Sequence, residues 1–334
     1  MVGLDTMNAA YVESRGPASS IQYGQVPVPR CGPTDVLVQV EAVAVNAVDT
    51  FVRSGAYQTA MPFPFVVGRD LVGTVVACGS GITGFRSGDL VWTNSLGHGG
   101  RQGAAAQFAV VAADRLYHAP PGADPVELVA VVHPAATAYL GIVVHGRARA
   151  GETVLVAGAA GHVGRAATVF ATRVGASVVA TASATDLDAC RRLGAREAFD
   201  YRDPRLGYLL RDAAPDGVDV HLDTSGHHDL ELAVELLAPR GRIVLMAGLS
   251  ERPGLPVGPL YTRDGRIVGY AISNASTTEL AAAAEQINRL VGEGTLEPGP
   301  IEELPLDRAG EAHARIETGN AAGVRLVLRP AAHG

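Results

Sequence analysis

The chain has 334 residues and a formal net charge of −7 at pH 7, with 47% apolar and 18% charged residues. This length accommodates two domains, and the composition is that of a compact globular protein, which excludes a disordered or fibrous chain. The acidic balance argues against nucleic-acid binding, and because all 27 basic residues are arginine, chemistry that needs a lysine amine is excluded.

The first third of the chain predicts short β-strands. Runs rich in Val, Leu and Thr occur at 36–40, 73–76, 89–92 and 107–111. Gly, Pro and Asp bound these runs, as is typical of strands that end in tight turns. Many short strands with glycine-rich turns indicate a barrel-like, β-rich domain.

From about Asp124 the pattern changes to alternating strands and helices. Strands are predicted at 153–157, 177–181, 218–223, 242–247 and 266–272, and helices at 163–174, 230–237 and 276–291. Strands separated by helices indicate a parallel, doubly wound α/β sheet. The segment 300–330 predicts a strand, a helix and a strand that return to the first domain. We therefore predict a domain formed by 1–124 and 275–334, and a second domain at 125–274.

A glycine-rich turn follows the strand at 153–157, in the segment from Val154 to Gly164. A buried strand, such a turn and then a helix are the context of a dinucleotide-binding fingerprint. Glycine at the turn lets backbone amides approach a pyrophosphate, and the helix N-terminus favours the anion. The match is A-x-G-x-x-G, and the alternative is a turn with a structural role alone. The residues predicted to bind the dinucleotide here are Ala160, Gly161, His162, Val163 and Gly164.

The end of the second predicted strand indicates which dinucleotide is bound. Enzymes that use NAD carry Asp or Glu there to bind the ribose hydroxyls. The sequence after residue 180 has no acid until Asp186, which favours the 2′-phosphate of NADPH. We predict that Ser183, Tyr201 and Arg202 bind this phosphate. The alternative for Arg202 is a solvated surface charge.

The cysteines and the N-terminus indicate the cellular compartment of the protein. Cys31, Cys78 and Cys190 show no C-x-x-C spacing, which is typical of thiols in a reducing compartment and gives no zinc-site signature. The N-terminus lacks the pattern of a signal peptide, and no run of 18 apolar residues occurs. We expect a cytoplasmic protein that does not bind membranes.

Five segments of the chain, taken in their order and spacing, are a more specific signature of a protein family than the glycine-rich turn alone. They are 46–57, 64–73, 136–139, 157–164 and 309–313. Together they resemble quinone oxidoreductases of the zeta-crystallin type, in the medium-chain dehydrogenase/reductase superfamily, from about Ala9 to Pro330. The resemblance implies a GroES-like catalytic domain built from both chain ends and a Rossmann domain between them. It also implies NADPH-dependent reduction of quinones or activated alkenes by a homodimer or homotetramer.

The resemblance also implies a metal-free site. Zinc-dependent relatives place Cys at the position of Asn46 and His at that of Arg69, and they carry four cysteines near residues 90–105, where this chain has none. Cys or His is needed for a stable tetrahedral zinc site, so we predict no metal. Hydrogen-bond donors must then stabilise the negative charge that develops on the acceptor, at about 3 kcal/mol for one good donor.

By family position, Asn46 and Tyr57 line the acceptor site and Arg53 lies close by. The alternative role of Tyr57 is a loop anchor. Asp49 is predicted to be the N-cap of a short helix that starts near Thr50, rather than a catalytic acid.

The resemblance implies further cofactor contacts. Thr137 is expected to contact the nicotinamide from the start of a helix, and Phe51 lies beside the cofactor in place of a second tyrosine. His133, just before Pro134, is either a proton donor or a histidine with a structural role at the start of that helix. The loop residues expected to contact the ribose and carboxamide are His227, Ala247, Gly248, Leu249, Ala271, Ile272 and Ser273.

Three functions stay open at this point. The first is reduction of a small-molecule quinone or enone. The second is reduction of an enoyl thioester, although some such enzymes use a lysine that this chain lacks. The third is NADPH binding without catalysis, which becomes credible because Phe51 removes a donor from the site.

Overall fold

The computed structural model of the protein describes residues 5–331. Its strands are β1 (Thr6–Val12), β2 (Gln22–Pro27), β3 (Asp35–Ala44), β4 (Phe65–Val66), β5 (Asp70–Cys78), β6 (Leu90–Thr93), β7 (Phe108–Ala112), β8 (Tyr117–His118), β9 (Thr153–Ala157), β10 (Ser177–Ala182), β11 (Glu197–Asp200), β12 (Val218–Asp223), β13 (Leu237–Leu245), β14 (Arg266–Gly269), β15 (Ile301–Pro305) and β16 (Arg325–Arg329).

The α-helices lie between these strands. They are α1 (Ala47–Ser54), α2 (Pro125–Tyr139), α3 (His162–Arg173), α4 (Leu187–Arg192), α5 (Leu206–Ala213), α6 (Leu230–Leu236), α7 (Val257–Tyr261), α8 (Thr277–Gly292) and α9 (Ala309–Glu317). A π-helical segment, Leu140–His145, continues α2.

The chain divides into two compact units. Unit 1 contains the residues up to His133 and those from Leu280 onwards, and unit 2 is Pro134–Glu279. The division therefore falls inside α2 and α8, at 133/134 and 279/280, rather than at the predicted 124/125 and 274/275. The change of sequence pattern at Asp124 marks the start of α2, whose first turns pack within unit 1.

Unit 2 contains a parallel sheet in the order β11-β10-β9-β12-β13-β14. Its central strand β9 pairs with β10 through Val154 and Val178, and with β12 through Val154 and Val220. Leu155 and Val179 are buried in the core beneath α5. The order reverses between β9 and β12, and the carboxyl ends of strands at such a point form a ligand-binding edge. The predicted doubly wound sheet is confirmed.

Unit 1 is β-rich and mostly antiparallel. One sheet has the order β2-β1-β4, and the other has the order β15-β16-β3-β5-β6-β8, with β7 also paired to β3. The chain end returns to this unit because β16 pairs with β3 through Val327 and Ala44. The predicted β-rich domain is confirmed.

One helical stretch, Pro125–His145, is long and apolar enough to span a membrane by length and composition alone. Within this stretch, 78% of the apolar 18-residue window that meets this criterion is buried in the protein. Buried helices of protein cores pass the same test, so we interpret this stretch as a core helix.

Candidate cofactor loops and acceptor site

Two glycines at the turn between β9 and α3, Gly158 and Gly164, have no room for a side chain. Gly158 has φ +75°, a conformation that side-chain-bearing residues rarely adopt. A Cβ on Gly164 would lie 2.2 Å from the carbonyl oxygen of Gly158 and 2.7 Å from the Cα of Ala159. Glycine is therefore required at Gly164 for α3 to approach the strand, while Gly161 is exposed at the N-cap.

The N-terminus of α3 is suited to an anion. The first turn of an α-helix has N–H groups without intrahelical acceptors, and its dipole is positive there. No side chain caps α3 and no acidic residue lies in its first turn. His162 and Val163 are half-buried at this end, beside Ala160. This donor set, together with the glycine cradle, fits a dinucleotide pyrophosphate.

Polar side chains hold the neighbouring loops together at the same edge of the sheet. The Thr224 hydroxyl donates to the carbonyl oxygen of Ala157 at 2.8 Å. His228 bridges two loops, because its Nδ1 lies 3.0 Å from Asp223 Oδ2 and its Nε2 lies 3.0 Å from the carbonyl oxygen of Ala247. The sequence analysis gave no role to Asp223 or His228, although an Asp at the end of β12 was a usable signal.

The loops after β12 and β13 also touch backbone to backbone. Gly226 and Gly248 both have positive φ values, and a Cβ on Gly248 would lie 2.8 Å from the Gly226 carbonyl oxygen. The nearby His227 side chain is exposed and lies 3.6 Å from Glu251, while Leu249 is also exposed. Gly248 is thus fixed by packing, whereas His227 and Leu249 extend towards solvent.

The side chains predicted to bind a 2′-phosphate differ in whether their polar groups are already bonded within the protein. The Ser183 hydroxyl donates to Asp186 Oδ2 at 2.5 Å, so a carboxylate lies closer to this point than the sequence suggested. The Arg202 guanidinium stacks on the Tyr201 ring, 4.5 Å from its centroid. Within residues 5–331, Arg202 forms no ion pair. Arg202 is therefore available to an anion, whereas Ser183 would first have to leave Asp186.

The helix that carries Thr137 starts earlier than predicted. Because α2 begins at Pro125, Thr137 lies in its last turn and His133 lies in its middle, so the predicted helix start near Pro134 is wrong. The carbonyl oxygen of Thr137 accepts the Tyr270 hydroxyl at 2.6 Å.

The last predicted strand of unit 2 is shorter than expected. It ends at Gly269, and Ile272 begins a short 3₁₀ helix, Ile272–Asn274. Ala271 and Ser273 are half-buried on either side of the buried Ile272.

Asn46 lies at the centre of a buried polar network in unit 1. Its Nδ2 donates to Asp70 Oδ2 at 2.8 Å, and its Oδ1 accepts Arg325 Nη2 at 2.6 Å. Its backbone N–H donates to Asp49 Oδ2 at 2.8 Å. Asn46 is the N-cap of α1 and Asp49 is the third helical residue, so the prediction that Asp49 is the N-cap is wrong. Because both polar atoms of its side chain are engaged, Asn46 is suited to positioning the network.

Arg325 occupies a gap that a proline creates. Pro134 has no N–H to donate to the carbonyl oxygen of Ala130, one turn earlier in α2. Arg325 Nε donates to that oxygen instead, at 3.0 Å, and its Nη1 donates to Val45 at 3.2 Å. His133 Nδ1 lies 3.0 Å from Asp70 Oδ1. These contacts give His133 a position inside the network.

The charges of this network are balanced by arginine. Burial and the neighbouring Asp70 raise the pKa of Asp49 to about 7. The Oδ1 atom of Asp49 is buried without a hydrogen-bond partner. Both carboxylates interact electrostatically with Arg69 and Arg325, which are also buried.

The network does not fit a zinc ion. Asn46 and Arg69 stand where zinc would need a thiolate and an imidazole, and the guanidinium of Arg325 would repel a cation. Within residues 5–331, no three His, Cys, Asp or Glu side chains are grouped so as to hold a metal.

Tyr57 is half-buried with its ring against His98, at a centroid distance of 5.7 Å. Its backbone N–H donates to the carbonyl oxygen of Phe51, whose own ring is exposed. Within residues 5–331 the Tyr57 hydroxyl makes no hydrogen bond, so it remains able to donate to a ligand.

Arg53 does not join this network. It lies seven residues after Asn46, which is about 10 Å along the helix axis. Its guanidinium is buried and pairs with Glu317 in α9, close to the buried His313. The resemblance placed Arg53 close to the acceptor site; the structure engages its guanidinium with α9, because the last turn of α1 packs against that helix.

Models of known protein families match segments of both units. A model of the alcohol dehydrogenase GroES-like domain matches residues 32–121, and a model described as zinc-binding dehydrogenase matches residues 163–289. Quinone oxidoreductase of Mus musculus is 30% identical over 309 residues, which cover 91% of each chain.

Solved structures of similar proteins match the chain over nearly its whole length. An NAD-dependent alcohol dehydrogenase has a TM-score of 0.86 and 31% identity, covering 97% of this chain and 99% of its own. A mycobacterial protein complexed with NADPH has a TM-score of 0.83 and 26% identity, covering 97% of this chain and all 100% of its own.

Proposed function

This chain belongs to the quinone oxidoreductases of the medium-chain dehydrogenase/reductase superfamily, and from that premise we propose that it uses NADPH to reduce quinones and other activated carbonyl or alkene acceptors without a metal ion. It is an oxidoreductase with a nicotinamide cofactor. The observation that carries the proposal is the glycine cradle at the start of α3, where a Cβ on Gly164 would collide with the backbone at 2.2 Å.

When bound, the cofactor supplies a hydride from its nicotinamide ring. A quinone that gains this hydride and one proton becomes a hydroquinone, and an enone becomes a saturated ketone. Negative charge develops on the acceptor oxygen, and a donor aimed at that atom lowers the barrier. Tyr57, whose hydroxyl is uncommitted, is the donor in this proposal. The network around Asn46 holds the start of α1, and thus the segment that carries Tyr57, in place.

Replacing Tyr57 by phenylalanine tests this role. We expect kcat/KM for 1,4-naphthoquinone to fall by about tenfold to a hundredfold, because one donor is lost from the transition state. Tyr208→Phe is the matched control, since Tyr208 is an exposed tyrosine on α5. Unchanged turnover in Tyr57→Phe would leave Tyr57 as a loop anchor.

The preference for NADPH rests on Arg202. A 2′-phosphate would accept a charge-assisted hydrogen bond from its guanidinium, which now stacks on Tyr201. We expect Arg202→Gln to weaken NADPH binding about tenfold and to leave NADH binding unchanged, as measured by fluorescence titration. Arg205→Gln is the control, because Arg205 is already paired with Asp203. Tighter binding of NADH by the unmodified protein would refute the preference.

One assay separates this function from its alternatives. NADPH oxidation is followed with 1,4-benzoquinone, with crotonyl-CoA and with no acceptor. Turnover of the quinone alone supports the proposal, and turnover of the thioester would instead indicate an enoyl-thioester reductase. Binding of NADPH without turnover of either acceptor would indicate a non-catalytic protein.

We also propose a cytoplasmic homodimer that acts on small molecules. The edge strand β14 has an open side, and α7 beside it exposes Val257 and Tyr261. Such an edge can pair with a second copy about a two-fold axis. Light scattering should show a dimer that Val257→Asp with Tyr261→Asp dissociates, whereas Tyr208→Asp should not. A monomeric protein would refute this assembly.

A further inference from the structure

A tight glycine-rich loop, residues 95–102, crosses the surface of unit 1. Gly97 has φ +63°, and a Cβ there would lie 2.7 Å from the carbonyl oxygen of Gly68. The Gly99 N–H donates to the Thr59 hydroxyl at 2.8 Å. The loop is thereby fixed on one side to the segment after Tyr57. On the other side it contacts Gly68 and Arg69, which precede β5, since the Leu96 N–H donates to the carbonyl oxygen of Arg69 at 3.2 Å.

This loop places polar groups beside Tyr57. His98 contacts the Tyr57 ring, and its Nδ1 atom is buried without a hydrogen-bond partner. Arg101 is half-buried, and its Nε donates to the carbonyl oxygen of Ser95 at 3.1 Å. Within the described chain, the other two nitrogens of Arg101 make no hydrogen bond. The loop therefore presents an imidazole and a guanidinium next to the proposed donor.

Arg115 adds a second guanidinium. It lies in the short turn before β8, and, within residues 5–331, neither it nor Arg101 forms an ion pair. Burial and the charges of Arg69, Arg101 and Arg115 lower the pKa of His98 to about 4, so His98 is neutral at pH 7. Burial and then Arg115 also lower the pKa of Arg101, with Asp114 as the nearby compensating acid. In a chain with net charge −7, this is a local excess of positive charge.

Half-buried guanidinium groups that repel each other and form no ion pair are unfavourable unless an anion neutralises them. We propose that Arg101, Arg115 and His98, here called the basic cluster, bind a carboxylate on the acceptor. The preferred acceptors are then quinones or enones that carry a carboxylate. This inference rests on the proposed function, in which Tyr57 donates to the carbonyl oxygen of the same molecule.

A matched pair of ligands tests the basic cluster. 3-(1,4-Naphthoquinon-2-yl)propanoate and its methyl ester share one quinone ring, and the saturated spacer keeps their reduction potentials alike. Calorimetric titration of the full-length protein should show about tenfold tighter binding of the propanoate, as expected for a charge-assisted contact that is partly exposed. Raising NaCl to about 0.5 M should remove most of this difference, because salt screens exposed charges.

Variants assign the effect to the basic cluster. Arg101→Gln and Arg115→Gln should each bind the two ligands with nearly equal affinity, with the methyl ester unchanged from the unmodified protein. Arg101→Lys should keep part of the preference, since it retains the charge. Arg30→Gln removes an exposed arginine before β3 and should change nothing. Binding of the ester also reports whether a variant is folded, and Arg115→Gln leaves the loop bond of Arg101 intact.

The outcomes separate the anion site from the proposed function. Tighter binding of the propanoate than of its methyl ester, abolished in both variants, supports the basic cluster as the carboxylate site. A lower KM for the propanoate than for the ester would show that this site also acts during turnover. Equal binding by the unmodified protein, or a preference that survives in both variants, would overturn it. If neither quinone is reduced but the propanoate binds through Arg101, the anion site stands and the proposed function falls.

Discussion

Replacing Gly164 by alanine is the sharpest test of the cofactor cradle. The added methyl would lie 2.2 Å from the carbonyl oxygen of Gly158 and 2.7 Å from the Cα of Ala159. Both are backbone atoms, so no flexible side chain can relieve the contact. The start of α3 must move away from β9 by about 1 Å, because close-packed interiors transmit such strain.

The magnitude follows from overpacking. Forcing an extra methyl into a packed site costs about 1–3 kcal/mol, and we expect Gly164→Ala to lower the free energy of unfolding by this amount. The displaced helix also moves the amides that would bind the pyrophosphate. We therefore expect the Kd for NADPH to rise by at least about tenfold, which corresponds to about 1.4 kcal/mol.

Urea unfolding followed by circular dichroism measures the stability, and a fluorescence titration measures the NADPH affinity. Gly258→Ala is the control, since a Cβ on Gly258 meets no atom within 4 Å. It lies in α7, where alanine is favoured over glycine, so its stability should be unchanged or slightly higher. A Gly164→Ala protein with the stability and affinity of the unmodified protein would refute the role given to this glycine.

Three further predictions concern the polar networks. Arg325→Met should lower the free energy of unfolding by about 3–5 kcal/mol, because the buried Asp70 loses the guanidinium of Arg325. A loss of stability below about 1 kcal/mol would contradict this prediction. Burial raises the pKa of Asp49 to about 7, so the native state keeps a proton that the unfolded chain releases near 3.8. The stabilisation from Asp49 is therefore complete below about pH 4 and is lost as the pH rises through 7, at about 1 kcal/mol per pH unit. Asp49→Asn should remove this dependence from unfolding curves between pH 5 and 8, and an unchanged pH profile would count against it. His228→Phe should raise the Kd for NADPH about tenfold in a fluorescence titration, because the bridge between Asp223 and the loop at Ala247 is lost. An unchanged Kd would show that His228 does not shape the cofactor site.

The cofactor unit was predictable because its signals are local. The strand expected at 153–157 is β9, and the helix expected at 163–174 is α3, His162–Arg173. Apolar runs and glycines within about 20 residues determine both elements. The requirement for Gly164 follows from the same short segment, since the turn folds back on Gly158.

The buried network around Asn46 was harder to predict because its contacts join distant parts of the chain. Arg325 lies 279 residues from Asn46, and no local pattern connects them. The start of α2 was misplaced because Pro134 was taken as a helix start, whereas it lies inside the helix. A proline within an apolar helix leaves one carbonyl without a donor, and that gap was the available signal for a buried partner.

The partner of Arg53 was unpredictable for a similar reason. Its place in the sequence is close to Asn46, but the side-chain partner, Glu317, belongs to the far end of the chain. Proximity along one short helix did not reveal which face of α1 packs against α9.

Hydride transfer from NADPH by the metal-depleted protein is the direct test of metal-free quinone reduction. After treatment with EDTA, the protein is mixed with 1,4-naphthoquinone and NADPH deuterated on one or the other face of C4, and the absorbance at 340 nm is followed. We predict saturable, quinone-dependent oxidation that is slower for one of the two deuterated cofactors. If NADPH is not oxidised when quinone is present, or if activity returns only when zinc is added, metal-free reduction of quinones by NADPH is refuted.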